Sequence, residues 1–153
     1  MLRVVLVHPQ IPPNTGNIAR TCAATGTELH LVGPLGFEIS DRHLKRAGLD
    51  YWPFVQLHHH ICWQAFEAFH QQQGGRWVGF STSGKYSYLQ FQFQENDWLL
   101  FGSETAGLPA KILADCTATV YIPMAEPKVR SLNLSVSAAL GLFEARRQLG
   151  FLK

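Results

Sequence analysis

Much that would settle a function at once is missing from these 153 residues. No window approaches the ~18 uninterrupted apolar residues of a membrane-spanning helix. The opening MLRVVLVHPQIPPN is too short to span a bilayer, and no small-residue cleavage pattern follows it. A soluble, unprocessed, cytosolic protein is therefore expected. Cysteine is scarce: Cys22, Cys62 and Cys116 stand far apart with no C-x-x-C pair, so a disulfide framework and a zinc ribbon both lack support. Neither G-x-G-x-x-G nor G-x-x-x-x-G-K-[ST] occurs, which removes the usual marks of a dinucleotide site and of a phosphate-cradling loop. G-x-S-x-G is absent too, and with it any sign of a nucleophile elbow. Charged residues make up only 16%, and a net +2 is too mild to imply nucleic acid by itself.

What is present is enough apolar material, 46% of the chain, for one core in one domain spanning residues 1–153. LRVVLVH, residues 2–8, is a β-branched run ended by Pro9, the pattern of a strand covered on both faces. PPNTGNIARTCAATG reads as a loop feeding a helix, with Asn14 or Thr15 as cap, Ile18, Cys22 and Ala23 on one face, and Gly26 at the stop. A strand at 28–33, a helix at 41–48, a turn at Trp52-Pro53 and a helix at 60–73 come next, the last with Ile61, Ala65, Ala68 and Phe69 at helical spacing. Strands at 76–82, 97–102 and 117–123, a short helix opened by Pro109 and a closing helix to about Leu149 complete the order. Alternating strands and helices predict an α/β fold, a parallel sheet with helices on both faces.

In such sheets ligands bind beyond the carboxyl ends of strands. Three loops rich in Gly, Pro, Asn and Ser fall at such ends: HPQIPPNTGN, GSETAGLP and PMAEPKVRSLN. One ligand gathered by all three is the economical expectation. In the first, Asn14, Asn17 and Arg20 lie within two turns, amides to position a polar substrate and a guanidinium for a phosphate; a helix cap and a surface charge are the plainer alternative. In the second, Gly102 and Gly107 offer flat backbone to a ring, and Glu104 either accepts hydrogen bonds from a ligand or caps the Pro109 helix. In the third, Ser131, Leu132 and Asn133 open the last helix behind Lys128 and Arg130, an electropositive entrance. The basic clusters DRHLKR, PKVR and EARRQ suit RNA or merely a solvated surface. His58-His59-His60 would alternate in a strand, and no second cluster completes a site, so no metal is expected. Lys85 reads as a solvated loop tip.

Three blocks together, IPPNTGNIARTCAATGTELHLVGPLGF with HLKRAGLDYW, then LLFGSETAGLP, then IPMAEPKVRSLNLSVSAALGLFEARRQLG, resemble the SPOUT superfamily of RNA methyltransferases. The small single-domain members that 2′-O-methylate the wobble nucleotide of tRNA, cytidine or modified uridine at position 34, are the nearest in kind. The resemblance covers essentially the whole chain. It implies a C-terminal trefoil knot, S-adenosyl-L-methionine as cofactor with no metal, a homodimer joined through the N- and C-terminal helices, and the anticodon stem-loop of tRNA, leucine tRNA in particular, as substrate. It places Phe80, Gly102, Ile122, Ser131, Leu132 and Leu134 at the cofactor, and Arg20 beside the reacting 2′-hydroxyl. Asn14, Asn17, Lys128, Arg130 and Asn133 are left for the substrate. Phe143 departs from the family, standing where related sequences often carry Tyr. Two other readings stay open from residues alone: a Rossmann-type oxidoreductase, favoured by the strand-helix order but lacking its glycine fingerprint, and a non-catalytic RNA-binding module.

Overall fold

The computed structural model of the chain describes residues 1–40, 42–47 and 50–152. Strands β1 (Arg3–Val7), β2 (Glu28–Val32), β3 (Leu57–His60), β4 (Trp77–Phe80), β5 (Tyr86–Ser87), β6 (Trp98–Phe101) and β7 (Ala118–Tyr121) form one sheet in the order β3-β2-β1-β6-β4-β7-β5. Every neighbouring pair is parallel. Helices α1 (Pro12–Thr25), α2 (Arg42–Ala47), α3 (Trp63–Gln73), α4 (Ala110–Asp115) and α5 (Leu134–Gln148) connect them, with a 3-10 turn at Trp52–Phe54. No helix among the described residues is long and apolar enough to cross a membrane.

The central strands β1 and β6 are buried at every position, and apolar at all but Arg3, because both sheet faces are covered. Val4 and Leu6 of β1, with Leu29, Leu31, Leu99 and Phe101, pack under Ile18, Ala19 and Cys22 of α1 and Ala138, Leu142 and Ala145 of α5. The alternate residues Val5, Val7, Val32, Trp98 and Leu100 pack against Phe66 of α3 and Ile112 of α4. Parallel α/β layering, as read from the strand-helix alternation, is what the chain adopts.

Local departures have physical causes. α1 begins at Pro12, with Ile11 as N-cap and no side-chain cap, so Asn14 and Thr15 lie inside the helix rather than capping it. Two prolines at the first positions have no N–H to satisfy. The helix expected at 60–73 starts only at Trp63, since Leu57 to His60 pair with Leu29 to Val32 as β3. Ile61, assigned to that helix's apolar face, is 78% exposed, and Ala68 is exposed as well; Phe66 is the residue of α3 that is fully buried. Within the helix expected at 41–48, Asp41 and Gly48 lie outside the described residues. β5 was hidden in a polar loop: Gly84 lets that loop touch the sheet, where a Cβ would stand 2.3 Å from the Val120 backbone.

Residues 81–97 form an excursion from β4 that lays β5 on the sheet's outer edge and returns to β6 inside it. The end of α5 is tied to this excursion: Gln148 Nε2 donates to the Phe91 carbonyl at 2.9 Å, and Phe93 N–H donates to Gln148 Oε1 at 3.0 Å. Further up, Gly141 of α5 rides on Phe80 and Phe101, whose rings stack at 4.5 Å.

Candidate active site

A cavity of about 440 Å³ opens beyond the carboxyl ends of β4, β6 and β7. Its walls are Phe80 to Ser83 after β4, Phe101 to Leu108 after β6, Ile122 and Met124 after β7, Arg130 to Leu132, and Leu134 and Ser137 from the start of α5. Phe80, Gly102, Ile122, Ser131, Leu132 and Leu134, scattered over more than fifty residues of sequence, all line it. Apolar walls, a row of hydroxyls at Ser81, Thr82 and Ser83, and exposed peptide edges form a lining that suits a small heterocycle with a polar appendage. Glu104 and Arg130 are the charged side chains among the lining residues.

Gly102 serves this site differently from expectation. A Cβ built there would stand 1.9 Å from the Gly107 carbonyl carbon and 2.1 Å from the Leu108 nitrogen. The glycine is required because its own loop folds back on it, closed by a Ser103–Gly107 bridge with Gly107 at φ +68°. It shapes the wall through the loop and does not merely leave room for a ligand.

Glu104 neither caps the Pro109 helix nor stands free for a ligand. Its two oxygens accept from the backbone N–H groups of Gln10 at 2.9 Å and Ile11 at 2.8 Å, and Asn14 Nδ2 donates to it at 3.3 Å. A carboxylate at the start of α1 is well placed against the helix dipole. It also occupies the donors that would cradle a dinucleotide's pyrophosphate after β1, which argues against the oxidoreductase reading. Asn14 is buried, and its Oδ1 accepts from Asn133 Nδ2 at 3.1 Å. Asn133 in turn caps α5, accepting from Ser135 N–H at 2.8 Å and Val136 N–H at 3.4 Å. Glu104, Asn14 and Asn133 thus tie the three loops into one unit. Residue types alone suggested the asparagines; only the fold reveals that they meet each other.

The remaining candidates lie apart from the cavity wall. Arg20 is exposed; its Nη2 donates to Tyr51 Oη at 2.7 Å and its guanidinium sits 4.3 Å from the centre of that ring. Six residues separate it from Asn14, roughly 9 Å along the helix. Asn17, one turn before Arg20, is exposed as well. Lys128 is exposed in a turn where its N–H donates to the Glu126 carboxylate at 3.0 Å. Tyr51 and Gly141 escaped sequence reasoning, although Gly141 stands beside the buried Leu142 as a small residue inside the closing helix. Burial pushes the Cys22 thiol up to about 12 and the Cys116 thiol to about 11, so neither supplies a thiolate nucleophile near neutral pH.

The histidine run does acquire companions, contrary to expectation. Register sets His30 of β2 opposite His58 of β3, and His30 Nδ1 lies 2.9 Å from His60 Nε2. His30 Nε2 lies 2.9 Å and His58 Nε2 3.6 Å from Glu28 Oε1. The His30 and His58 rings stack at 4.5 Å within 8° of parallel. One ligand atom each from Glu28, His30 and His58 gathers within 4.8 Å of the others, a set of a kind that can hold a metal ion, and Arg3 Nε stands 3.7 Å from the same carboxylate oxygen and competes for it. Glu28, His30 and His60 form a hydrogen-bonded relay on the sheet, with His30 fully buried and His58 stacked at the more exposed edge.

With this geometry established, similarity to known proteins decides the family. The profile of the SpoU rRNA methylase family matches residues 1–143. The chain belongs to that family. It is 48% identical to a tRNA (cytidine(34)-2'-O)-methyltransferase of Burkholderia cenocepacia, over 99% of this chain and 97% of the relative. A solved structure concerned with 2-OH methylation of C/U34 on tRNA superposes with a TM-score of 0.93 at 50% identity, covering 98% of this chain and 97% of that one. The SpoU methyltransferase AviRb of Streptomyces viridochromogenes, in complex with the cofactor AdoMet, superposes with a TM-score of 0.90 at 27% identity, over 97% of this chain and 60% of that one.

Proposed function

We propose that this SpoU-family chain, acting as a single domain and as a cytoplasmic homodimer, transfers the methyl group of S-adenosyl-L-methionine to the ribose 2′-hydroxyl of nucleotide 34 of tRNA. Cytidine or a modified uridine is the target, leucine tRNA the expected substrate. The observation that carries the reading is the convergence of six residues, Phe80, Gly102, Ile122, Ser131, Leu132 and Leu134, on one cavity. The Burkholderia relative and the tRNA-methylating structural neighbour supply the reaction, and AviRb the cofactor.

The cofactor supplies an electrophilic methyl group on a sulfonium. Leu132, Leu134 and Ile122 form apolar walls for the adenine, and the hydroxyls of Ser81 to Ser83 suit its polar parts. The chain must then align an attacking oxygen with that methyl and help a weakly acidic proton leave. A guanidinium hardly deprotonates, so Arg20 acts by orienting the 2′-hydroxyl and a neighbouring phosphate, with proton loss to that phosphate or to water. Because Arg20 does not line its own chain's cavity, its role and the homodimer form one proposal: each arginine serves the partner's cavity. Asn17, Lys128 and Arg130 remain as substrate contacts, whereas Asn14 and Asn133 act on the substrate by holding the loops in place. The trefoil knot is part of the same reading, supported by the packing of α5 on the sheet and by the hydrogen bonds that join its Gln148 to Phe91 and Phe93 of the excursion.

Isothermal titration with S-adenosylhomocysteine and with NAD, followed by nucleoside mass spectrometry of treated leucine tRNA, tests the reading. Binding of the former alone and a 2′-O-methyl group at position 34 are expected. NAD binding, or cofactor binding with no methylated tRNA, would sink it.

A further inference from the structure

We propose that Arg20, Tyr51 and Phe54 form a stacking platform for an unpaired base of the RNA loop that carries the target ribose; this rests on the tRNA methylation proposed above. Tyr51 holds the Arg20 guanidinium twice, by the 2.7 Å hydrogen bond from Nη2 to its hydroxyl and by its ring face at 4.3 Å. A flexible, exposed arginine is thereby fixed in one plane before any substrate arrives. Tyr51 also caps the 3-10 turn Trp52–Phe54, in which Phe54 N–H donates to the Tyr51 carbonyl at 2.9 Å. Side chains three apart in such a turn eclipse one another, so Phe54 projects on the Tyr51 side.

Phe54 is 70% exposed. A lone exposed ring is ordinary on a protein surface. One that the turn sets on the same side as a half-exposed tyrosine carrying a guanidinium extends that pair toward solvent. Arg42 and Arg46, both exposed and four apart on α2, sit on a helix packed against α1, which carries Arg20. Asp50, the residue before Tyr51, is an exposed carboxylate among the described residues of this stretch. Positive charge interleaved with exposed aromatics is the chemistry that takes single-stranded RNA: bases stack on rings and guanidinium planes while the cations meet phosphates. A nucleotide of the anticodon loop next to the target, unstacked so that its ribose can enter a cavity, needs such a surface.

The test uses an anticodon stem-loop RNA with 2-aminopurine beside the target nucleotide, whose fluorescence is quenched on stacking. Wild-type protein should quench it and methylate the RNA. Phe54→Ala should lose most of the quenching and weaken RNA affinity roughly ten-fold or more, the range for one stacked base. Phe54→Trp should recover both, and Phe54→Leu should not. S-adenosylhomocysteine affinity, melting temperature and sedimentation should stay unchanged in all three. The inference is overturned if Phe54→Ala binds RNA like wild type, if Phe54→Leu recovers as well as Phe54→Trp, or if Phe54→Ala alters sedimentation, which would make the ring a contact between copies. Wild-type protein that leaves the RNA unmethylated would instead fail the proposed function itself.

Discussion

A methyl group added at residue 102 has nowhere to go. It would lie within 2.4 Å of three backbone atoms of Gly107 and Leu108, and backbone cannot yield as a side chain can. Gly102→Val should therefore displace the whole wall from Ser103 to Leu108, abolishing S-adenosylhomocysteine binding and also lowering the melting temperature by several degrees, as expected for overpacking of a few kcal/mol. Calorimetric titration alongside thermal melting reads both; lost affinity at an unchanged melting temperature would mean the loop tolerates the side chain and only the ligand does not. Arg20 calls for the opposite pattern. Arg20→Ala should leave cofactor affinity near wild type while single-turnover methylation falls by roughly two orders of magnitude or more. Arg20→Lys should recover little, since an ammonium cannot present a planar fork to two oxygens. An unchanged rate in the alanine variant would return Arg20 to the plain surface.

Elements carry a second kind of information. The strands most plainly legible in the sequence were those with unbroken apolar runs, such as residues 4–7 and 98–101, because burial on both faces leaves a one-dimensional signal. β3 and β5 were not legible: LHHH has polar side chains, and the two-residue β5 owes its pairing wholly to β7. Likewise the cavity-lining residues were recognisable through the family blocks, while the Glu104–Asn14–Asn133 tie, spanning more than a hundred residues, depends on which loops the topology brings together. The His30 relay has the same origin and makes a pH prediction. Burial, then the neighbouring His58 and His60, depress the His30 pKa to about 4 against the partial support of Glu28. A folded pKa below the unfolded value near 6.5 means the fold accepts the neutral ring. That stability is present in full above about pH 6.5 and is lost as pH falls toward about 4. The melting temperature should therefore be lower at pH 5 than at pH 7, and His30→Gln should flatten that slope. An identical slope in the variant would assign the acid sensitivity to other groups.

At the scale of the whole molecule, α5 leaves a face without a partner among the described residues of its own chain. Val136, Leu140 and Phe143, spaced four and three apart, are 47%, 38% and 43% exposed on one side of a helix whose other side is core. Phe143, apolar and 43% exposed, completes this stripe. A contiguous apolar strip of this kind marks an interface, and a second copy of the chain offers the same strip in return. Leu140→Glu should therefore yield monomers by light scattering, with S-adenosylhomocysteine still bound and methylation lost, because the cavity is complete in one chain and Arg20 is not part of it. Mixing separates this from simple damage. Arg20→Ala dimers and Leu132→Trp dimers, the second with a filled cavity, should each be nearly inactive. After subunit exchange, half the dimers are hybrids, and each hybrid pairs one intact cavity with one intact Arg20. Activity should then rise to about a quarter of wild type if the arginine serves the opposite subunit. The same hybrids would contain no complete site through the exchange if Arg20 served its own chain, since the intact arginine would then sit beside the filled cavity. Exchanged mixtures no more active than their parents would remove the shared site, and with it the reason for the chain to work as a pair.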